Sequence, residues 1–164
     1  MQHKIIAERL ILNLLTLDNR DFVKRLVNTP GWLDFIGDRN VHTDDDAIAY
    51  INKIRNTQNL YYWVVSIKNE NTPIGIISFL KRDYLENFDI GFAFLPEYNG
   101  NGYAYEAAKE VLVIVSKDPR YAAILATTVP KNTNSIKLLT KLGLHFQKEI
   151  EVEKQKLHVY TNAV

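Results

Sequence analysis

The feature that most constrains the fold is a succession of three β-type segments in the middle of the chain. Residues 60–67, 74–80 and 88–95 are rich in aromatic and β-branched side chains, which favour strands. The turn-forming sequence Asn-Glu-Asn-Thr-Pro separates the first two at residues 69–73. Such a run of strands predicts a sheet that is largely antiparallel in the first half of the chain.

Helices and further strands flank this run on both sides. Before it, the pattern predicts a strand at residues 10–14, a helix with Phe22 and Leu26 on one face, a loop or broken helix at residues 28–42, and a second helix capped by Thr43. After it, the predicted order is a helix, a strand, a helix and two strands, at residues 103–116, 122–129, 134–142, 145–152 and 156–161. We therefore expect a mixed α/β fold of the α+β-like kind.

Composition and charge exclude several classes of function. The net charge is +1 and both signs are mixed along the chain, which argues against nucleic acid as the main partner. There is no cysteine, so the chain has neither a thiol nucleophile nor a cysteine-based zinc site. The four histidines are scattered without metal-ligand spacing, and we predict no metal.

The same sequence predicts one soluble domain. No internal repeat, low-complexity tract or linker divides it, so residues 1–164 are expected to form a single domain. No apolar stretch approaches the roughly 20 residues that span a bilayer, and charged residues interrupt the first segment, unlike a signal peptide. We expect no membrane association and a cytoplasmic location.

A glycine-rich turn lies between the third β-type segment and the helix at residues 103–116. Gly100 and Gly102 would let backbone amides approach an anion without interference from a Cβ atom. The start of the helix adds unpaired N–H groups and the positive end of the dipole. Tyr105 stands where the Rossmann fingerprint needs its third glycine, and no Gly-Lys-Ser/Thr follows, so neither nucleotide-binding pattern fits. A simple turn is the structural alternative.

A second informative segment follows the strand at residues 122–129. It contains Pro130, Asn132 and Ser135, then a helix that stops at Gly143. Taken alone, Asn132 and Ser135 are explained by the start of that helix, where side-chain oxygens cap unpaired amides.

Together these two segments resemble the GNAT superfamily of N-acetyltransferases. The glycine turn resembles its coenzyme A pyrophosphate loop, R/Q-x-x-G-x-G/A, with a departure at Asn99 in place of Arg or Gln. The RimJ/RimL-like branch accepts other residues there, and its Gly-x-Gly-Tyr-Ala-x-Glu-Ala matches residues 100–107. The second segment resembles the GNAT pattern P-x-N-x-x-S followed by a helix and Leu-Gly-Phe, although Phe146 comes slightly late.

The resemblance implies a fold and a cosubstrate. The implied fold has three layers, with a central, mostly antiparallel sheet that is splayed between its two central strands. The implied cosubstrate is acetyl-CoA, bound with its pantetheine arm in that gap. The residues implied to bind it are Phe94, Asn99, Gly100, Asn101, Gly102, Tyr103, Ala104, Asn132 and Ser135.

The implied reaction is direct attack of an amine on the acetyl thioester, without a covalent enzyme intermediate. Main-chain amides at the end of the strand that precedes the turn, notably at Phe94, are implied to polarise the carbonyl. Asp89 is the first candidate for the general base, and the alternative is a strand residue that faces solvent. Glu106 is the second candidate, and the alternative is stabilisation of the helix dipole.

The proton donor differs from that of many GNAT enzymes, which place a tyrosine seven residues after the motif asparagine. This chain has Leu139 there. RimL-type members have a serine near the sulfur instead, which implies Ser135 as the donor. Binding of coenzyme A or helix capping are the alternatives for Ser135.

The acceptor is implied to bind at the loop after the first helix, and core packing is the alternative for its two aromatic residues. This loop contains Trp32, Asp34, Phe35, Asp38 and Arg39. The implied acceptor is an amine, either a protein N-terminus or a small molecule, and a homodimer remains open because many relatives form dimers. A sensor or regulatory module that binds acetyl-CoA without turnover is the second hypothesis, since the tyrosine is missing.

Overall fold

A computed structural model describes residues 1–163 of the protein. The strands are β1 (Lys4–Ile6), β2 (Leu10–Leu14), β3 (Leu60–Ile67), β4 (Pro73–Lys81), β5 (Phe88–Phe94), β6 (Leu125–Thr128), β7 (His145–Val152) and β8 (Gln155–Thr161). The helices are α1 (Arg20–Leu26), α2 (Pro30–Phe35), α3 (Asp44–Asn56), α4 (Tyr103–Val115) and α5 (Thr133–Lys141).

All eight strands form one sheet, in the order β1-β2-β3-β4-β5-β6-β8-β7. Neighbouring strands are antiparallel except β5 and β6, which are parallel and pair only at Asp89 and Leu125. The mixed α/β fold with a mostly antiparallel sheet is therefore confirmed. The single pairing between β5 and β6 is the splay that the GNAT resemblance implied.

Successive side chains of a strand point to opposite faces of the sheet, and helices pack against both faces. On β3, Trp63 and Val65 belong to the core cluster that includes Ala108 of α4 and Leu139 of α5. Val64, between them, belongs to the cluster formed with α1, α2 and α3. The protein thus has three layers, α1–α3 on one face of the sheet and α4–α5 on the other.

Several predicted boundaries are correct, and the local signals behind them are visible. Thr43 caps α3 reciprocally with Asp46, whose amide donates to the Thr43 hydroxyl at 3.1 Å. Gly143, at φ +87°, ends α5. The segment at residues 28–42 contains the short helix α2, as a broken helix would.

Two predictions need correction. Strand β1 precedes the first predicted strand, and the sequence pattern does not indicate it; it forms because its backbone pairs with β2, Lys4 opposite Asn13. The strand expected at residues 122–129 is shorter, Leu125–Thr128. Asp118 caps a 3₁₀ turn that begins at Pro119, and this turn ends only at Tyr121. Within residues 1–163, no helix is both long and apolar enough to cross a membrane.

Candidate active site

A cleft of about 810 Å³ opens where β5 and β6 diverge. Beyond Asp89 and Leu125, β5 continues to pair with β4 as far as Phe94, and β6 continues to pair with β8. The residues that follow on both strands, from Ile90 on β5 and Ala126 on β6, line the cleft. The divergence of two central strands therefore creates a groove with backbone on both sides.

The glycine turn follows β5 and lies at one end of this groove. Gly100 and Gly102 have φ values of +81° and +77°, in the left-handed region that favours glycine. Gly102 is the N-cap of α4 and makes no side-chain cap. Among the described residues, the backbone amides of residues 100–105 have no hydrogen-bond acceptor; the first amide of the helix with one is that of Glu106, which donates to Gly102. Six neighbouring amides are thus available for an anion.

Arg9, which directly precedes β2, forms hydrogen bonds with the turn and with the first turn of α4. Its backbone amide and its Nε each donate to the Glu106 carboxylate at 2.7 Å, and its Nη1 donates to the Asn101 carbonyl at 2.9 Å. The guanidinium also lies 4.6 Å from the centre of the Tyr103 ring. Both oxygens of Glu106 are therefore engaged by Arg9, a role that its position in the first helical turn did not indicate.

Asp89 is buried, with 1% of its surface exposed, so the solvent-facing alternative for this residue is wrong. Its Oδ2 accepts from the Thr127 hydroxyl at 3.1 Å and lies 3.1 Å from Arg82 Nε, although outside hydrogen-bond geometry. Its Oδ1 has no partner among the described residues. Burial raises the pKa of Asp89 above its usual range, and Arg82 and Thr127 oppose that shift.

Asn132 and Ser135 occupy the start of α5, on the β6 side of the groove. The Asn132 side chain accepts from the Ser135 amide at 3.2 Å, which confirms that Asn132 caps the helix. Both residues also line the cleft. Helix capping and a place in the groove are therefore compatible for this pair.

The opposite end of the cleft is lined by side chains from α2, α3, β3 and β4. Trp32 is buried in the core and lines the cleft as well, and Phe35 and Arg39 line it beside Trp32. Asp34 and Asp38, expected on the same loop, do not line it. Sequence reasoning missed a further set, which comes from separate elements without a local motif: Tyr50, Lys53, Tyr62 and Arg82.

The family profile described as an acetyltransferase (GNAT) domain matches residues 9–145, which include the groove and the turn. The chain belongs to the GNAT acetyltransferase family. An uncharacterised N-acetyltransferase of Bacillus subtilis, YnaD, is 35% identical over 104 residues. That match covers 63% of this chain and spans 61% of the length of YnaD.

Solved GNAT structures share the whole architecture. An acetyltransferase of Bacillus anthracis superposes with a TM-score of 0.80 at 26% identity and covers 96% of both chains. A ribosomal-protein-S5-alanine acetyltransferase of Vibrio fischeri superposes with a TM-score of 0.79 at 18% identity, covering 98% of this chain and 96% of its own. The second likeness establishes the shared fold alone.

The residues that the GNAT resemblance singled out fall into three places. Phe94, Asn99, Ala104, Asn132 and Ser135 line the cleft. Gly100, Asn101, Gly102 and Tyr103 form the adjoining turn and the first helical residue, outside the cleft lining. Asp89 lies behind the wall, in contact with two residues that do line it, Arg82 and Thr127. Among residues 1–163, no cluster of His, Cys, Asp and Glu has a metal-binding arrangement.

Proposed function

We propose that the protein is an acetyl-CoA-dependent N-acetyltransferase that transfers an acetyl group to an amine by direct attack on the thioester. Residues 1–164 act as a single GNAT domain. The observation that carries the proposal is the groove between β5 and β6, which ends at a turn with six amides that have no acceptor among residues 1–163. A groove with backbone walls suits an extended amide-containing arm, and the turn suits a pyrophosphate.

The fit of the cosubstrate to this groove follows from the chemistry of its walls. The amides from Gly100 to Ala104 hold the pyrophosphate, helped by the dipole of α4, whereas the amide of Asn99, expected among them, already donates to the Pro96 carbonyl at 3.1 Å. The backbone at Phe94, the last residue of β5, binds the arm and polarises the thioester carbonyl. Asn132 and Ser135 contact the arm from the side of β6. When bound, acetyl-CoA supplies the activated acetyl group.

The chain's own groups move two protons. The attacking amine loses a proton as its nitrogen bonds to the carbonyl carbon, and Asp89 accepts that proton through water. As the carbon–sulfur bond breaks, the Ser135 hydroxyl gives a proton to the departing thiolate and regains one from solvent, while Asp89 releases the proton of the amine to solvent. Its raised pKa makes Asp89 a stronger base than an ordinary aspartate. The reaction needs no covalent enzyme intermediate.

The acceptor belongs at the opposite end of the cleft, beside Trp32 and Arg39. It is a protein N-terminus or a small-molecule amine. The turn sequence favours the RimJ/RimL-like branch, and the structural neighbour from Vibrio fischeri bears a ribosomal-protein acetyltransferase name. A cytoplasmic location and a homodimer fit that branch, without nucleic acid or membrane as a partner.

Thermal unfolding with acetyl-CoA, coenzyme A, ATP and NAD, added one at a time, tests the cosubstrate. A ligand at about 100 times its dissociation constant adds roughly 2.7 kcal/mol to the free energy of unfolding. For a domain of this size the midpoint then rises by roughly 5–10 °C. We expect that rise with acetyl-CoA and with coenzyme A, and not with ATP or NAD. No rise with acetyl-CoA would contradict its assignment as the cosubstrate.

A second measurement separates catalysis from sensing. Release of free coenzyme A is followed with a broad panel of amines at saturating acetyl-CoA. Acetylation of at least one amine supports the transferase. Tight binding of acetyl-CoA with no turnover across the panel would instead support a sensor or regulatory module, the alternative kept open by Leu139 at the tyrosine position.

A further inference from the structure

The acceptor end of the cleft carries positive charge and no carboxylate. Three basic residues line the cleft, and no Asp or Glu does so among residues 1–163. The charge of Arg82 is matched by Asp89, 3.1 Å away. Arg39 and Lys53, in contrast, form no ion pair within the described chain. Two uncompensated cations therefore border the place where the acceptor binds.

Trp32, next to Arg39, has a hydrogen-bond donor without an acceptor in the described chain. Trp32 lines the cleft with only 4% of its surface exposed, and its Nε1 has no partner in residues 1–163. An indole N–H can only donate, so only an acceptor atom satisfies it. The Arg39 guanidinium carbon lies 6.0 Å from the centre of the Trp32 ring, so the indole and this cation are neighbours. Together with Lys53, which also lines the cleft, they form the acceptor patch.

Tyr62, which also lines the cleft, keeps its proton and therefore leaves the positive charge of this end unopposed. Burial raises the pKa of Tyr62, and the nearby Tyr50 adds to that rise, while the positive charges of Arg39 and Arg82 oppose it. Tyr62 therefore stays a neutral phenol at physiological pH and adds no negative charge to the cleft. An ammonium group finds no anionic partner at this end, whereas an anionic oxygen finds donors and cations.

We propose that the acceptor is an amine that also carries a carboxylate, held by Arg39, Lys53 and the Trp32 N–H. This inference rests on the proposed acetyl transfer and names the class of its acceptor. The carboxylate binds at the patch and leaves the uncharged amine directed to the thioester in the groove. Polyamines, which carry further ammonium groups and no anion, are excluded by the same charges. A free amino acid and a peptide N-terminus with an acidic side chain both supply the required chemistry.

Matched pairs of acceptors test this class. Free amino acids are compared with their uncharged amides, for example phenylalanine with phenylalaninamide, at saturating acetyl-CoA. Dipeptides with an acidic second residue represent the peptide source, and spermidine represents polyamines. Calorimetric binding of each compound to the protein–coenzyme A complex is measured beside turnover. We expect the carboxylate member of at least one pair to have a kcat/KM at least about tenfold higher, as a charge-assisted hydrogen bond provides.

Substitutions in the acceptor patch test which residues bind the carboxylate. Arg39→Gln and Lys53→Gln should each raise KM for the carboxylate acceptor by roughly 10-fold or more, with little change in kcat. Trp32→Phe, which removes the N–H donor together with part of a buried ring, should raise KM less, and its melting temperature is measured beside KM because the smaller ring leaves a cavity in the core. The control is Arg55→Gln, which removes a cation from the same helix at a position that lines a different groove. None of the variants should change the affinity for coenzyme A.

The outcomes separate this inference from the acetyl transfer on which it rests. Faster acetylation of the amides or of spermidine would overturn the carboxylate site and leave the transferase intact. Binding of the carboxylate compound in the absence of turnover, lost in Arg39→Gln, would support the site and contradict the transferase. If neither binding nor turnover distinguishes the members of any pair, the carboxylate site is refuted. Equal loss in Arg55→Gln and Lys53→Gln would also refute it, since general charge would then explain the effect.

Discussion

The two ends of the cleft are built in opposite ways. The cosubstrate end is made of backbone, namely the diverging strands β5 and β6 and the unpartnered amides of residues 100–105. The acceptor end is made of side chains that come from four separate elements, with cations and a buried indole. Backbone recognition at this turn requires glycines within one short segment, Gly100 and Gly102, whereas a side-chain pocket requires only that the fold bring distant positions together. One end is therefore visible as a motif and the other is not.

This difference predicts which substitutions affect which substrate. Changes of backbone conformation at the turn should weaken the binding of acetyl-CoA. Changes of charge at the acceptor patch should alter only the binding of the acceptor. Asp89 belongs to neither end, because it lies behind the cleft wall at the single pairing of β5 and β6. Its substitution should affect the chemical step rather than the binding of either substrate.

Asp89→Asn has the largest expected effect. If Asp89 accepts the proton of the amine, kcat should fall by about 10²- to 10⁴-fold, the range typical of a lost general base. The affinity for coenzyme A should change little, because the turn and the groove do not include this carboxylate. Steady-state kinetics and calorimetry on the same preparation measure both quantities.

Stability must be separated from chemistry in that variant, because removing the Asp89 charge leaves Arg82, which is partly buried, without its counter-ion. The double variant Arg82→Gln/Asp89→Asn restores the charge balance. We expect its melting temperature to recover relative to the single variant while kcat stays low. Recovery of kcat together with stability would show that Asp89 is a structural residue and not the base.

Gly100→Ala tests the backbone end, with Gly143→Ala as the matched control. Both glycines have positive φ, +81° and +87°, and a Cβ atom at either meets nothing within 4 Å. Each substitution should therefore cost a similar strain, about 1–2 kcal/mol. Only Gly100 lies in the turn, where the new Cβ obstructs the approach of an anion to the amides. We expect roughly 10- to 100-fold weaker acetyl-CoA binding for Gly100→Ala alone, by calorimetry. Equal affinities in the two variants would rule out the turn as the pyrophosphate site.

The contrast between the two ends also explains how far sequence reasoning reaches. The bounds of β3 and β7 follow from local composition and were predicted as the structure has them. The turn at Gly100 and Gly102 was recognisable because its dihedral angles restrict the residue type. Lys53 and Tyr62, in contrast, have no unusual local sequence; only the packing of α3 on β3 places them at one cleft. The burial of Asp89 likewise depends on the pairing of β5 with β6, whose partner residue Leu125 is distant in sequence.

The pH dependence of stability gives a smaller effect that also reports on Asp89. Burial raises its pKa above the ordinary 3.8, so the folded state holds this proton more tightly than the unfolded chain does. The contribution of Asp89 to stability is then fully present below the unfolded-state pKa and is lost as the pH rises through the folded-state pKa. The free energy lost is about 1.4 kcal/mol for each tenfold difference in proton affinity between the two states. Urea unfolding from pH 4 upwards should show this loss of stability in the wild type and not in Asp89→Asn. The same dependence of the free energy of unfolding on pH in both proteins would contradict the prediction.

Glu106→Gln has the smallest expected effect, and it decides between two roles for this carboxylate. Glu106 accepts two hydrogen bonds from Arg9, which in turn donates to the Asn101 carbonyl of the turn. Because Arg9 is largely solvent-exposed, loss of the charge should cost only about 0.2–1 kcal/mol. We therefore expect KM for acetyl-CoA to rise by no more than roughly fivefold, with kcat unchanged. Glu110→Gln, one turn further along α4, is the control and should change neither. A fall in kcat of about 100-fold or more, with KM for acetyl-CoA unaffected, would instead make Glu106 the general base, because a positioning residue of the turn acts on cosubstrate binding and not on proton transfer.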